Sequence, residues 1–248
     1  MDLIDDVLGS AQLRGKVSAR LELRAPWGAR LEPYEDAGFY VVARGRGFIE
    51  AEGEAPILME AGELVFFGRR VRHIVRDSPS SAVGTGPELL QRCVRGDDGV
   101  LRGGGRGDVT EIIVGCFELE APSVERLFES LPPLLHARPA GVAAEWLDSS
   151  IRLLTAEQVD PVAGSHTVLG RIADVLLIQA VRSYLQSHGA NARGWLKAAI
   201  DPQLGRALLG MHEKPAERWT LAMLASLAAM SRSSFAERFA TTVGETPL

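Results

Sequence analysis

The chain of 248 residues has only two cysteines, Cys93 and Cys116, too few for a disulfide framework and without the paired spacing of a zinc knuckle. They read as two inert thiols or as a redox pair in a reduced, intracellular protein. Long apolar runs are also missing: nothing approaches about 18 uninterrupted apolar residues, and the N-terminus, with Asp2, Asp5 and Asp6, is acidic where a signal peptide is basic. The expected location is cytoplasmic, with no membrane contact. Positive charge is not in excess, since 27 Lys and Arg face 32 Asp and Glu for a net charge of -5. That balance excludes a broadly basic nucleic-acid coat protein and leaves room for a local DNA-reading face. Lysine is confined to Lys16, Lys197 and Lys214, so arginine carries the positive charge. Against these absences stands a hydrophobic content of 46%, ample for one large or two modest buried cores and incompatible with a disordered chain.

Residues 17–78 read as short strands separated by turns, the pattern of an antiparallel sandwich or barrel. Val17 to Leu23 alternates apolar and polar, and Pro26-Trp27-Gly28 turns the chain. Phe39 to Ala43 is aromatic and β-branched and ends at Arg44-Gly45-Arg46-Gly47, a tight turn. Strands follow at Phe48 to Glu52, Ala55 to Met59 and Leu64 to Phe67. Residues 84–107 hold eight glycines in a charged stretch, which predicts a mobile loop interrupting the β domain; Thr110 to Leu119 resumes a strand.

Helical patterns take over after Pro122. Ser123 is the expected N-cap of a helix over Val124 to Leu131, stopped by Pro132-Pro133, and a second helix is expected over Val142 to Thr155. The strongest amphipathic segment is Val168 to Leu185. Leu169, Ile172, Leu176 and Ala180 line one face, and Val168, Val175, Ile178, Val181 and Leu185 widen it. The stripe fits either a homodimer contact through 168–185 or a helix buried within one chain.

At the C-terminal end, Thr220 is placed to cap a helix with Leu221, Leu224, Ala225 and Ala228 at helical spacing. After a break near Ala229-Met230, Ser231 caps a second helix that holds Phe235 and Phe239 at i, i+4 and ends at Gly244. Two short helices joined by a tight turn form a helix-turn-helix, and the second presents short polar side chains at the end that reaches base edges. From 201 to 248, five basic residues oppose five acidic ones, so generic attraction to DNA is small.

The run Ala207-Leu208, Met211-His212, Pro215, Trp219-Thr220-Leu221, Leu224-Ala225, Met230-Ser231-Arg232, Phe235, Phe239, Gly244 and Pro247 resembles the first helix-turn-helix of the AraC/XylS family of bacterial transcription regulators. Upstream, Leu21-Glu22-Leu23, Ala25 to Gly28, Val41-Val42, Arg44-Gly45 and Gly62 to Val65 resemble the cupin-type sensor of one subgroup, and Gly194-Trp195-Leu196 and Asp201-Pro202 fit the same pattern. The likeness spans nearly the whole chain. It implies an α+β fold: a cupin-like β-barrel sensor over 1–121, a helical dimerisation and linker region over 122–198, and a helix-turn-helix over 199–248. The family has two such units, and the sequence ends at Leu248 after the first, which implies weakened DNA binding.

Carried over position by position, Ser233, Ala236 and Glu237 fall on the base-facing side of the second helix, Ser231, Arg232 and Arg238 are phosphate neighbours, and Ser234 belongs to the same DNA-contacting set. Glu237 also reads as a solvated helix carboxylate. In the sensor, the effector-contacting candidates are Tyr40, Phe66, Arg70 and His73. Metal-binding cupins use two or three histidines and an acid, and no histidine precedes His73 here, so neither metal nor cofactor is expected. Arg69, Arg70, Arg72 and Arg76 surround His73, which fits a solvated turn or capture of an anion. Some members of the subgroup sense redox state, but Cys116 stands two positions beyond the expected cysteine, with Val114 in its place. The expectation is a ligand- or stress-responsive regulator that is not an enzyme, with double-stranded DNA and a small-molecule effector as partners. Two alternatives are a metal-dependent cupin enzyme and a truncated interaction module that forms mixed dimers.

Overall fold

The computed structural model describes residues 3–10, 14–118, 122–138, 145, 149–150, 152–154, 156–157, 162–189 and 192–247. The helix expected over Val142 to Thr155 falls largely outside the described residues. The chain divides into two compact units that interleave along the sequence. One comprises 14–118 and 132–183, the other 1–13, 119–131 and 184–248.

Among the described residues the first unit contains twelve strands: β1 (Arg14–Arg24), β2 (Gly28–Leu31), β3 (Ala37–Arg44), β4 (Arg46–Ala51), β5 (Ile57–Glu60), β6 (Leu64–Phe67), β7 (His73–Arg76), β8 (Gly84–Thr85), β9 (Val94–Arg95), β10 (Leu101–Gly104), β11 (Val109–Glu118) and β12 (Leu134–Ala137). They form a seven-stranded sheet in the order β12-β6-β3-β11-β1-β10-β9 and a five-stranded sheet in the order β5-β4-β7-β2-β8. The expected α+β class with a sheet-rich cupin-like part holds, but the strands make two separate sheets and no closed barrel among the described residues.

Strand periodicity explains what each face buries. In β4, Gly47, Ile49 and Ala51 point inward while Arg46 is exposed and Phe48 and Glu50 are half-buried. β3 is buried on both sides from Ala37 to Val42, which fits a central strand in a sheet covered on both faces. Tyr40 and Val42 join a core with Trp27, Ile49, Met59 and Val75. Phe39 packs against Phe66 and Phe117, with ring centroids 5.8 and 5.4 Å away. Each such fully buried side chain contributes about 1.5–3 kcal/mol of transfer free energy. Gly115 makes room for this packing, since a Cβ there would lie 2.2 Å from the Phe39 ring.

Residues 84–107 correct the sequence reading, because the expected mobile loop carries β8, β9, β10 and a helix, α2 (Gly86–Gln91). A capping box starts the helix: the Glu88 N–H donates to the Thr85 hydroxyl and the Thr85 N–H to the Glu88 carboxylate, with Pro87 in the first turn. β12 is a second addition, formed directly after the Pro132-Pro133 stop and paired with β6.

The remaining helices are α3 (Pro122–Ser130), α4 (Ser165–His188), α5 (Gly194–Ile200), α6 (Leu204–Glu213), α7 (Leu221–Leu227) and α8 (Arg232–Val243), with α1 (Leu3–Ser10) at the N-terminus. α3 begins at Pro122, one residue before the expected N-cap Ser123, whose side chain lies outside the described residues. Within the first unit, the part of α4 up to residue 183 approaches β1 closely. A Cβ on Gly170 would lie 2.6 Å from the Gly15 carbonyl oxygen, and the Gly15 N–H donates to Asp174 Oδ1 at 3.1 Å. Burial raises the Asp174 carboxyl above its ordinary pKa, against the opposing pull of Gly15 and Arg171. Leu169, Leu176, Ala180 and Val181 are buried as well, which leaves Val168 and Val175 as the exposed apolar residues of the 168–185 segment.

Candidate nucleic-acid interface

The C-terminal pair of helices follows from its caps. Thr220 Oγ1 accepts the Met223 N–H at 3.3 Å to start α7, and Ser231 Oγ accepts the Ser234 N–H at 3.2 Å to start α8. α7 ends in a Schellman turn: the Met230 N–H donates to the Ala225 carbonyl at 2.9 Å and the Ala229 N–H to Ser226 at 3.0 Å. Ala229 sits at φ 52, a left-handed position where glycine is the usual occupant. Gly244, at φ 92, ends α8. Leu224, Ala225, Ala228, Phe235 and Phe239 are buried between the elements, so one face of α8 is committed to packing.

Ser233 and Glu237 lie opposite the Phe235–Phe239 stripe, and the rest of the expected DNA-contacting set flanks it. Ser231, Arg232, Ser233, Ser234, Glu237 and Arg238 are exposed and Ala236 is half-buried. Their side chains do not behave alike. The Ser231 hydroxyl lies 3.2 Å from that of Ser233 and 3.1 Å from that of Ser234, a small cluster at the helix N-terminus. Arg238 is bound within the unit: its Nη1 donates to Gln203 Oε1 at 2.7 Å and its Nη2 to the Asp201 carboxylate. Neither Asp201 as an ion-pair partner nor Gln203 stood out in the sequence, since both lie more than 30 residues before Arg238 and only the folded helices bring them together.

In the β unit the four expected effector contacts do not converge. Tyr40 and His73 do: the Tyr40 hydroxyl lies 2.8 Å from His73 Nε2, and His73 Nδ1 lies 2.9 Å from the Val71 carbonyl oxygen. A carbonyl only accepts, so Nδ1 carries the proton and Nε2 accepts from Tyr40. Burial lowers the His73 pKa against a smaller opposite pull from the Val71 carbonyl, and burial raises that of Tyr40. Both stay neutral. With both ring nitrogens engaged, His73 coordinates a metal only by giving up one of these two hydrogen bonds.

Phe66 points to the other face of the sheet, into the cluster with Phe39 and Phe117. The aromatic ring beside His73 is Phe67, 4.4 Å away between centroids, and it also lies 5.1 Å from Tyr40. The alternation of Leu64 to Phe67 signals two faces, but only the pairing with β3 says which one meets His73. Arg70 is exposed on a turn at φ 60 and pairs with Glu35 at 3.0 Å. The other arginines near His73 also meet carboxylates from neighbouring segments: Arg69 with Glu35, Arg72 with Glu32 and Glu52, and Arg76 with Glu50 at 2.6 Å. These acids are remote in sequence from the arginine run. Above Arg72 and His73 lies an open groove of about 650 Å³, also lined by Arg30, Glu50 and Ile74.

Residues 2–186 match the cupin family, and residues 211–248 match the bacterial regulatory helix-turn-helix proteins of the AraC family. Two AraC-like transcription regulators, from Streptomyces lividans and Streptomyces antibioticus, are 31% and 32% identical to the chain, over all of it and 81% of their own length. The HTH-type transcriptional regulator MtrA of Neisseria gonorrhoeae is 26% identical over all of the chain and 80% of its own. On these matches and the capped helix pair, the chain belongs to the AraC family of bacterial regulatory helix-turn-helix proteins, with a cupin domain at its N-terminal side.

Proposed function

We propose that the chain is a ligand-responsive transcription regulator that reads duplex DNA with α8 and is not an enzyme. The observation that carries this reading is the exposed polar face from Ser231 to Glu237 on a helix whose other face is anchored by Phe235 and Phe239. Ser233, Ser234, Ala236 and Glu237 meet base edges in the major groove, and Ser231 and Arg232 approach phosphates at the helix N-terminus. Ala236 offers an apolar contact to a thymine methyl, and Glu237 accepts from cytosine N4. The functional division is a sensor over 1–121, a helical linker over 122–198 and a DNA-contacting part over 199–248.

The effector is a small molecule taken up by the sensor near Tyr40 and His73, with Phe67 in the place first expected of Phe66. A ligand able to bond to Tyr40 or His73 competes with their mutual hydrogen bond, and it couples to DNA binding by favouring one sensor arrangement. A homodimer contact through 168–185 would use Val168 and Val175, flanked by Arg171 and Arg182. Such a regulator works in the cytoplasm beside its DNA. Among the described residues no helix is long and apolar enough to cross a membrane.

Selection from a random duplex pool tests the function. The wild-type chain enriches a defined sequence, and Arg232→Ala binds that sequence more weakly with a salt slope smaller by about one. Failure of the wild type to enrich any sequence overturns the reading.

A further inference from the structure

The polar residues at the junction of α5 and α6 are not used by the DNA-reading proposal, yet they reach into both helices of the helix-turn-helix. Asp201 Oδ1 accepts the N–H groups of Gln203 at 2.9 Å and Leu204 at 3.0 Å, which closes the start of α6. Its other oxygen, Oδ2, binds Arg238 of α8. Gln203 bridges in two directions. Its carbonyl oxygen accepts Arg238 Nη1 at 2.7 Å, and its amide nitrogen donates to the Ala228 carbonyl at 3.2 Å, the last residue before the left-handed turn at Ala229.

We infer that Asp201, Gln203 and Arg238 form a polar clamp that sets the roll of the reading helix relative to α6, making Arg238 a positioning residue and not a phosphate contact. The inference rests on α8 being the helix that meets DNA. Phe235 and Phe239 lie one turn apart on a single stripe, and their burial is non-directional, so they fix the depth of α8 better than its rotation. The Arg238 bonds are directional and charge-assisted, and both terminal nitrogens of the fork donate to acceptors from the α5–α6 corner. Because Gln203 bonds both to Arg238 and to the turn, where Arg206 Nη2 also donates to the Ala228 carbonyl at 3.5 Å, the angle between α7 and α8 and the roll of α8 are coupled. A base-reading helix needs both, since a roll of a few tens of degrees moves Ser233 and Glu237 off the base edges. The Asp201 carboxylate is suited to this: burial acts to raise its pKa, but the Leu204 and Gln203 amides and the Arg238 guanidinium hold it below the usual range.

The test compares the full chain with Asp201→Asn, Arg238→Ala and the double variant. Asparagine keeps an acceptor for the Gln203 and Leu204 amides, so Asp201→Asn isolates the tie to Arg238 and serves if Arg238→Ala does not fold. Without DNA, hydrogen exchange across residues 228–243 is expected to speed up by about tenfold in either single variant and no further in the double, as for members of one network. Wild-type exchange rates in both singles overturn the clamp. Binding is then measured on the duplex enriched from a random pool and on a mixed-sequence duplex. The clamp predicts a loss of about tenfold or more on the enriched duplex for both singles, with the salt slope unchanged on the mixed one. If instead Arg238→Ala lowers the salt slope by about one on both duplexes and Asp201→Asn is silent, Arg238 contacts phosphate and the inference is wrong. If the wild type enriches no duplex, the DNA-reading proposal fails while hydrogen exchange still decides the clamp.

Discussion

Tyr40 donates its hydroxyl to Nε2 of His73 across 2.8 Å inside the β core, and the opposite ring nitrogen of His73 is held 2.9 Å from the Val71 carbonyl oxygen. Every polar atom of the imidazole is therefore satisfied without solvent. Tyr40→Phe leaves Nε2 buried and unpaired, at an expected cost of about 1–3 kcal/mol. Urea denaturation of the wild type and the variant measures it, and equal midpoints would show that water or another donor replaces the hydroxyl.

The same pair sets a pH dependence. Burial lowers the pKa of His73, and burial lowers that of His136 despite the opposing pull of Glu63, so both are kept below the ordinary 6.5 in the folded chain. Below about pH 6.5 the unfolded chain binds these protons more readily than the folded one. Stability is then full above that pH and falls as pH drops from 6.5 toward the folded-state values. Asp174, raised by burial, acts in the opposite sense, so the His73 share is read as the difference between wild type and His73→Gln. His73→Gln should flatten part of the decline between pH 7 and 5; an unaltered curve rules out a buried, neutral His73.

Ala229 holds the left-handed position that ends α7. An alanine there costs about 1–2 kcal/mol, and glycine's extra freedom in the unfolded chain costs roughly 0.5–1 kcal/mol. Ala229→Gly is accordingly expected to stabilise the chain by about 0.5–1 kcal/mol, seen as a small rise in Tm. A fall in Tm would mean that the alanine methyl makes packing contacts worth more than the strain.

The approach of α4 to β1 leaves no room for a side chain at Gly170, where a Cβ would lie 2.6 Å from the Gly15 carbonyl oxygen. Gly170→Val must push helix and strand apart and should destabilise by about 1–3 kcal/mol despite valine's better helix propensity. Thermal unfolding decides it, and an unchanged Tm would show that the contact is loose.

What the sequence revealed depended on how local each signal was. Thr220, Ser231 and Gly244 cap their helices as their residue types predict, because a cap involves atoms within four residues. The Thr85 to Glu88 capping box was equally local and was obscured by the glycines around it. The Tyr40–His73 contact, the Phe67 placement and the carboxylate partners of Arg69 to Arg76 all depend on strand register, which sequence alone left open. For the same reason Arg238 reads as a phosphate neighbour from its place on α8, and its tie to Asp201 appears only once α6 and α8 are folded together.

If the Ser231 to Glu237 face meets DNA bases, Ser233→Glu places a carboxylate against them without touching the buried Phe235 and Phe239. Fluorescence anisotropy on the duplex enriched by the wild type should show a loss of affinity of about tenfold or more, with Tm unchanged. Equal affinity for wild type and variant would place DNA elsewhere on the molecule and contradict the account.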